Sequence, residues 1–179
     1  MIKYDYQNSI GFIINRIGKS LINVIDQELR RKFEITFGQW KVLIILANSD
    51  QGLTQKEIAD KLVLESPTLI PIIDKLEKDE LVIRKIDKKD RRINRIYLTE
   101  KSHGFLNDTT ECVARIKRIC LNNLSENEVL VTRNTLEKMW LNLQSFYNVS
   151  SLGEPRIKST LAEESNSNIY VKEINNSTK

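Results

Sequence analysis

The chain has few of the residues that interrupt regular backbone, with 6 glycines and 3 prolines in 179 residues. Turn-rich all-β folds need many more such breakers, so long helices are favoured. Two cysteines and one histidine cannot build a disulfide scaffold or a histidine-rich metal centre. The longest apolar run, residues 42–47, is far short of the roughly 20 residues of a membrane span. Residues 1–7 are mixed and polar, without the pattern of a secretory signal. The expected compartment is therefore the cytoplasm, with no membrane partner. A Ser-His-Asp set, a Walker loop and a Gly-rich dinucleotide fingerprint are all missing. An enzyme is the least supported class, and no cofactor or metal is expected.

What is present is charge: 28 Lys and Arg against 24 Asp and Glu, a net +4 with 29% of residues charged. So small a total argues against a sequence-independent chromatin-like binder. Residues 84–95 nevertheless carry Arg84, Lys85, Lys88, Lys89, Arg91, Arg92 and Arg95, opposed only by Asp87 and Asp90, for a local +5. Such a segment is either a solvated turn or the footprint of a polyanion-binding surface.

Hydrophobic periodicity places the elements. Ile10, Ile14, Ile17, Leu21 and Val24 step by three and four, a coiled-coil-like seam within a helix over residues 8–32. A helix so long and apolar serves either a core or a subunit interface. Thr36 and Gln39, Thr54 and Glu57, and Ser125 and Glu128 have capping-box spacing, each opening a helix. The first of these should turn Trp40, Leu43, Ile44 and Ala47 inward. Ser66 reads as an N-cap with Pro67 at the first helical position. This helix should bury Leu69, Ile72, Ile73 and Leu76, leaving Thr68, Asp74, Lys75 and Lys78 for solvent or a partner.

From Leu81 the period changes to two, and residues 81–86 and 93–98 read as a hairpin with the basic segment at its tip. Thr99 caps a further helix through Leu124, with Phe105, Leu106, Val113, Ile116, Ile119 and Cys120 on its apolar face. Cys112 and Cys120 read as buried thiols; a redox role would require an exposed thiolate near Arg115, Lys117 and Arg118. His103 reads as a surface or interface residue. A last helix carries Leu136, Met139, Trp140, Leu143, Phe146 and Tyr147. Residues 149–179 are polar and neutral and read as a flexible tail, with one short extended piece at Ile169-Tyr170-Val171.

The expected fold is mainly α, an α+β winged helix. It comprises long N- and C-terminal helices (8–32 and 100–148) around a winged unit (36–99), with a helix-turn-helix at 54–78 and a wing at 81–98. Such a unit suits DNA. The helix at Ser66 can enter a major groove, the helix N-termini near Thr54 and Ser66 suit phosphate oxygens, and an arginine at the wing tip suits a minor groove.

The residues also resemble those of MarR-family regulators. Leu53-Thr54-Gln55-Lys56-Glu57-Ile58-Ala59 is similar to the family's LTQxELA opening of the helix-turn-helix. Asp74-Lys75-Leu76-Glu77-Lys78, followed by Leu81-Val82, resembles DxLEKxGLV. Asp87-Lys88-Lys89-Asp90-Arg91-Arg92, then Leu98-Thr99-Glu100-Lys101, resembles the DPxDxR and LTEKG of the wing. The resemblance spans residues 8–148. It implies a homodimeric DNA-binding transcription regulator, in the repressor mode, released by a small-molecule or stress signal. Two recognition helices would meet successive major grooves of a pseudo-palindromic site in double-stranded DNA.

Residue roles follow from the same resemblance. Arg92 matches the wing arginine of the minor groove, and Asp90 the acid that holds it. Ser66, Pro67 and Thr68 fall at the start of the recognition helix, and Thr54 and Gln55 nearest the DNA backbone. Lys75 and Arg91 are candidate phosphate contacts. Ile10, Ile14, Ile17, Leu21, Leu136, Trp140, Leu143 and Tyr147 are the candidate dimer interface. An effector that favours mis-spaced recognition helices would release DNA. Phe37, Trp40 and Tyr147 are placed to line a crevice for it, with core packing the more ordinary role of each.

Three positions depart from the pattern. Glu80 and Ser102 replace glycines, and a left-handed Glu80 would cost about 1 kcal/mol. Pro71 lies inside the recognition helix, where it removes a hydrogen bond. A proline there also occurs in peroxide-sensing members, whose reactive cysteine near the first helix has no counterpart in Ile10-Gly11-Phe12. The rival reading is a winged-helix protein-interaction module, which has no use for Arg91 and Arg92 beside Asp90.

Overall fold

The computed structural model describes residues 5–87 and 90–147, apart from the side chains of Ser66, Phe146 and Tyr147. The expected tail at 149–179 lies outside the described residues. The elements are α1 (Ile10–Phe33), α2 (Phe37–Ala47), β1 (Leu53–Thr54), α3 (Gln55–Leu62), α4 (Ser66–Lys78), β2 (Val82–Ile86), β3 (Asn94–Leu98), α5 (Glu100–Cys120) and α6 (Glu126–Tyr147).

Local chemistry sets the helix starts. Ser9 caps α1, accepting from the Phe12 N–H at 3.3 Å. The capping box of α2 is complete: the Gln39 N–H donates to Thr36 Oγ1 (3.0 Å), and the Thr36 N–H donates to Gln39 Oε1 (2.7 Å). The box of α3 repeats this with Thr54 and Glu57 at 3.1 and 2.7 Å. Ser125 and Glu128 form the third, at 3.3 and 2.8 Å. Arg30, Arg31 and Lys32 lie in the last turn of α1, where cations complement the helix dipole. Asp26 joins α1 to α2, accepting from the Phe37 N–H at 2.7 Å and Arg30 Nε at 2.6 Å.

Thr99 departs from its expected role. It occupies the N-cap of α5 without a capping bond, and its hydroxyl donates instead to the Glu80 carbonyl at 2.7 Å. The tertiary contact beside β2 takes the group that a local cap would have used.

One core serves all of the winged unit. Leu29, Val42, Leu43, Ile58, Leu69, Ile73, Leu76 and Ile96 are completely enclosed. In α2 the buried stripe is Gln39, Val42, Leu43 and Leu46, while Trp40 and Ile44 are half-buried and Ala47 is exposed. A helix apolar nearly all round has no unique face in its sequence, so neighbours select it. The sheet has an unexpected third strand. Its order is β1-β3-β2, antiparallel throughout. β1 opposes Leu53 to Ile96 and Thr54 to Arg95, and β2 pairs from Val82–Leu98 to Ile86–Asn94. A two-residue strand carries no periodicity, which explains its invisibility in the sequence.

Gly52 precedes β1 at φ +63°, and a Cβ there would lie 2.8 Å from the Ile96 carbonyl oxygen and 2.7 Å from the Tyr97 ring. Only glycine fits both the left-handed backbone and the close approach. In α5 the inward residues are Ser102, Leu106, Thr109, Cys112, Val113 and Ile116. The helix ends at Cys120 rather than Leu124. Cys120 is exposed, contrary to its reading as buried, and so is Ile119. α5 packs on α1 through the edge-on Phe33–Phe105 pair at 5.9 Å, and its last buried residue is Ile116.

Candidate nucleic-acid interface

α3 and α4 are joined by a sharp turn. Val63 closes α3 in the left-handed conformation at φ 53°, and the Leu64 N–H reaches back to the Ala59 carbonyl at 3.0 Å. The N-cap of α4 is Glu65 rather than Ser66. Glu65 is extended, makes no side-chain cap, and its carbonyl accepts from the Thr68 N–H at 3.0 Å. Ser66 is thus the first helical residue and Pro67 the second, where its missing N–H is still unneeded. Burial of Leu69, Ile73 and Leu76 fixes the rotation of α4. Pro67, Thr68, Ile70, Pro71, Asp74, Lys75 and Lys78 therefore face outward. Lys75 is paired with Asp79 at 2.7 Å. Thr54 serves as the α3 cap, and Gln55 is its first residue.

The wing returns between β2 and β3 through a compact turn. The Asp87 N–H donates to the Ile93 carbonyl at 2.8 Å, and the Ile93 N–H to the Asp90 carbonyl at 3.0 Å. The Asp90 carboxylate accepts the backbone N–H of Arg92 at 3.0 Å. Asp90 thus orders the chain carrying Arg92 instead of gripping the guanidinium. Arg91 and Arg92 are both exposed and have no ion pair among the described residues.

Arg84, Lys85 and Arg95 have different work. Arg84 donates to both Asp74 and Glu77, binding β2 to α4. Burial acts against its charge, but the Asp74 hydrogen bond and Glu77 outweigh burial and raise its pKa further. This corrects the expectation that Asp74 is left for solvent or a partner. Arg95 donates to Asp87, whose hydrogen bond raises the arginine's pKa, and reaches Glu57 Oε2 at 3.4 Å and the Gly52 carbonyl at 3.3 Å. Wing root, β1 and the start of α3 are therefore tied through one guanidinium. Lys85 lies over the Tyr97 ring at 5.4 Å. The roles of Arg84 and Arg95 escaped the sequence reading. The available signal was the strand alternation, which puts Arg84 on the same face as buried Val82.

The residues expected at a subunit interface are uncovered in the single chain. Ile10, Ile14, Ile17, Leu136, Trp140 and Leu143 are exposed, while Leu21 packs at the edge of the core. The Tyr147 side chain lies outside the described residues. Among described side chains, none on α6 is buried. Phe37 and Trp40 stack at 5.7 Å, and the buried Trp40 Nε1 has no acceptor among the described residues.

The profile of the MarR family matches residues 35–93. The HTH-type transcriptional regulator MhqR of Bacillus subtilis (strain 168) is 33% identical over 138 residues, covering 76% of this chain and 92% of that protein. The chain belongs to the MarR family. As a family member it is a DNA-binding transcription regulator, which sets aside the docking-module alternative. Its fold agrees with that of MepR from S. aureus, solved in complex with DNA, at TM-score 0.69 and 28% identity over 75% of this chain and 98% of that one. It also agrees with CouR from Rhodococcus jostii RHA1, solved with p-coumaroyl-CoA, at TM-score 0.67 and 23% identity over 76% and 95% of the two chains. In this MarR-family chain the matched residues 35–93 include α2, α3, α4 and the wing turn. No helix among the described residues is long and apolar enough to cross a membrane.

Proposed function

We propose that this regulator is a cytoplasmic homodimeric repressor. Its two α4 helices enter successive major grooves of a pseudo-palindromic operator, and its wings reach the flanking minor grooves. The observation that carries this reading is the contrast within the basic segment. Arg84 and Arg95 are committed to internal carboxylates, whereas Arg91 and Arg92 are exposed and without an ion pair among the described residues, on a turn ordered by Asp90. An ordered turn lowers the entropy lost when its arginines meet phosphates or a narrow groove. Ser66, Pro67 and Thr68 then face base edges, and Thr54, Gln55 and Lys75 lie along the backbone.

The dimer is supported by the uncovered apolar faces of α1 and α6, since large exposed apolar patches mark association surfaces. We place residues 8–148 in one dimer-forming domain, with 149–179 as an appended tail. A small-molecule effector is supported by the buried Trp40 Nε1, which lies beside Phe37 and has no acceptor among the described residues. A buried donor without an acceptor costs about 1–3 kcal/mol, which a ligand acceptor would recover.

Selection of bound sequences from a random duplex pool tests the reading, with Arg91→Ala/Arg92→Ala run in parallel. The wild type should enrich a pseudo-palindrome with half-sites about one helical turn apart. The variant should bind more weakly and lose about 2 from the slope of log affinity against log salt per subunit. Equal enrichment and an equal slope for both proteins would remove the wing from the mechanism.

A further inference from the structure

The outward face of α4 carries unusual chemistry for a recognition helix. Residues 66–73 contain no arginine, lysine, asparagine, glutamine or histidine; their polar side chains are the two hydroxyls of Ser66 and Thr68. The buried positions Leu69 and Ile73 leave Pro67, Thr68, Ile70 and Pro71 exposed, with Ile70 at 44%. The nearest charges do not change this. Glu65 at the N-cap is an acceptor only. Asp74 is held by Arg84, and Lys75 by Asp79. Guanine is read by bidentate donors and adenine by a side-chain amide, so neither has its usual partner in these two turns. An apolar contact with the C5-methyl of thymine remains available to them.

Pro71 strengthens the argument. Proline is the most disruptive residue inside a helix, yet here it is exposed and contributes nothing to the enclosed core. With Ile70 beside it, it forms an apolar ridge on the outward face of the first two turns of α4. A ridge of this kind on a monomer surface is normally a liability; against thymine methyl groups it is complementary.

We propose that α4 reads its operator through thymine methyl groups, with Ile70 and Pro71 as the specificity-determining residues and Thr68 adding its own methyl. The proposal rests on the reading that α4 enters the major groove. Guanine positions in the half-site are then tolerated or excluded by fit, and the wing arginines supply affinity without sequence preference at these steps.

The test uses the full chain and the operator recovered by duplex selection. Each thymine of one half-site is replaced in turn by deoxyuridine, which removes the C5-methyl and keeps base pairing. Replacement at the positions under α4 should weaken binding about fourfold per buried methyl, and the loss should shrink towards onefold in Ile70→Ala. Pro71→Ala, which favours the helix, keeps the protein folded and should likewise blunt the response. If every deoxyuridine duplex binds as tightly as the thymine duplex, the methyl reading is overturned while groove entry stands. If the loss persists unchanged in both variants, the methyl groups act through DNA shape and the assignment to Ile70 and Pro71 is overturned. If no operator is enriched at all, groove entry itself fails and this inference falls with it.

Discussion

Gly52→Ala is a single added methyl whose effect can be worked from the structure. At φ +63° a non-glycine residue costs about 1–2 kcal/mol. The new Cβ would also lie 2.8 Å from the Ile96 carbonyl oxygen and 2.7 Å from Tyr97 Cε1. The ring can turn, but the carbonyl belongs to the β1–β3 pairing and can move only with the strand. Overpacking of this kind costs about 1–3 kcal/mol. Alanine also restricts the unfolded chain, which offsets about 0.4–1 kcal/mol. The net expectation is a loss of about 1–4.6 kcal/mol by these terms. Gly104→Ala is the matched control: it sits in α5 with nothing within 4 Å of the added atom, so it should gain about 0.5–1 kcal/mol from helix propensity. Urea midpoints of both variants, at one protein concentration, read the pair. The reasoning is refuted if Gly52→Ala unfolds at the wild-type midpoint, or if Gly104→Ala is equally damaging. Gly52→Ala should also weaken operator binding, because the Gly52 carbonyl accepts from Arg95 Nη1 at 3.3 Å and that guanidinium holds the wing root.

Three other expectations follow from named residues. Glu80 lies at φ 60°, and its pairing with Lys101 at 3.3 Å is solvent-exposed, so Glu80→Gly should raise stability by about 0.5–1 kcal/mol in thermal or urea unfolding; a destabilised variant would count against the strain. Leu143→Glu should shift the sedimentation coefficient towards the monomer at low micromolar concentration, since a buried leucine contributes about 1.5–3 kcal/mol and a buried unpaired charge opposes association; unchanged sedimentation would move the interface elsewhere. Acid should unfold the protein through its helix caps. The Thr54 backbone amide, with Arg95, holds Glu57 below its ordinary pKa of 4.5. Desolvation raises Asp26, but the Arg30 and Phe37 hydrogen bonds outweigh it and leave that carboxyl below 3.8. A lowered folded pKa means stability that is complete above the unfolded value and lost as pH falls through the folded one. Urea midpoints should therefore hold from pH 7 to about 5 and drop below that, less steeply in Glu57→Gln; equal steepness would exclude Glu57 from the linkage.

Much of this regulator was legible in its amino acids because the signals are short-ranged. A capping box needs four consecutive residues, and the three expected ones, at Thr36, Thr54 and Ser125, all close. The change of period at Leu81 locates the hairpin, and the order of motifs points to the family. The inward face of α4 follows from Leu69, Ile73 and Leu76, and its outward face by subtraction. The exposed Ile10-Ile14-Ile17 seam was likewise written in its three-four rhythm.

Tertiary structure decided what depends on partners distant in sequence. The basic segment has a net +5 as a string, yet Arg84 faces Asp74 and Glu77 while Arg95 joins Asp87 to Glu57. Only in three dimensions do Arg91 and Arg92 separate from them, exposed and without an ion pair among the described residues. The strand at Leu53 exists because β3 is there to receive it. Neighbours chose the buried stripe of α2, and burial along α5 stops at Ile116, which leaves Cys120 exposed. Thr99 took the Glu80 carbonyl in place of its own cap. Periodicity and capping are satisfied within a turn or two of chain, whereas a charge, an edge strand or a thiol acquires its environment only when the rest of the fold closes around it.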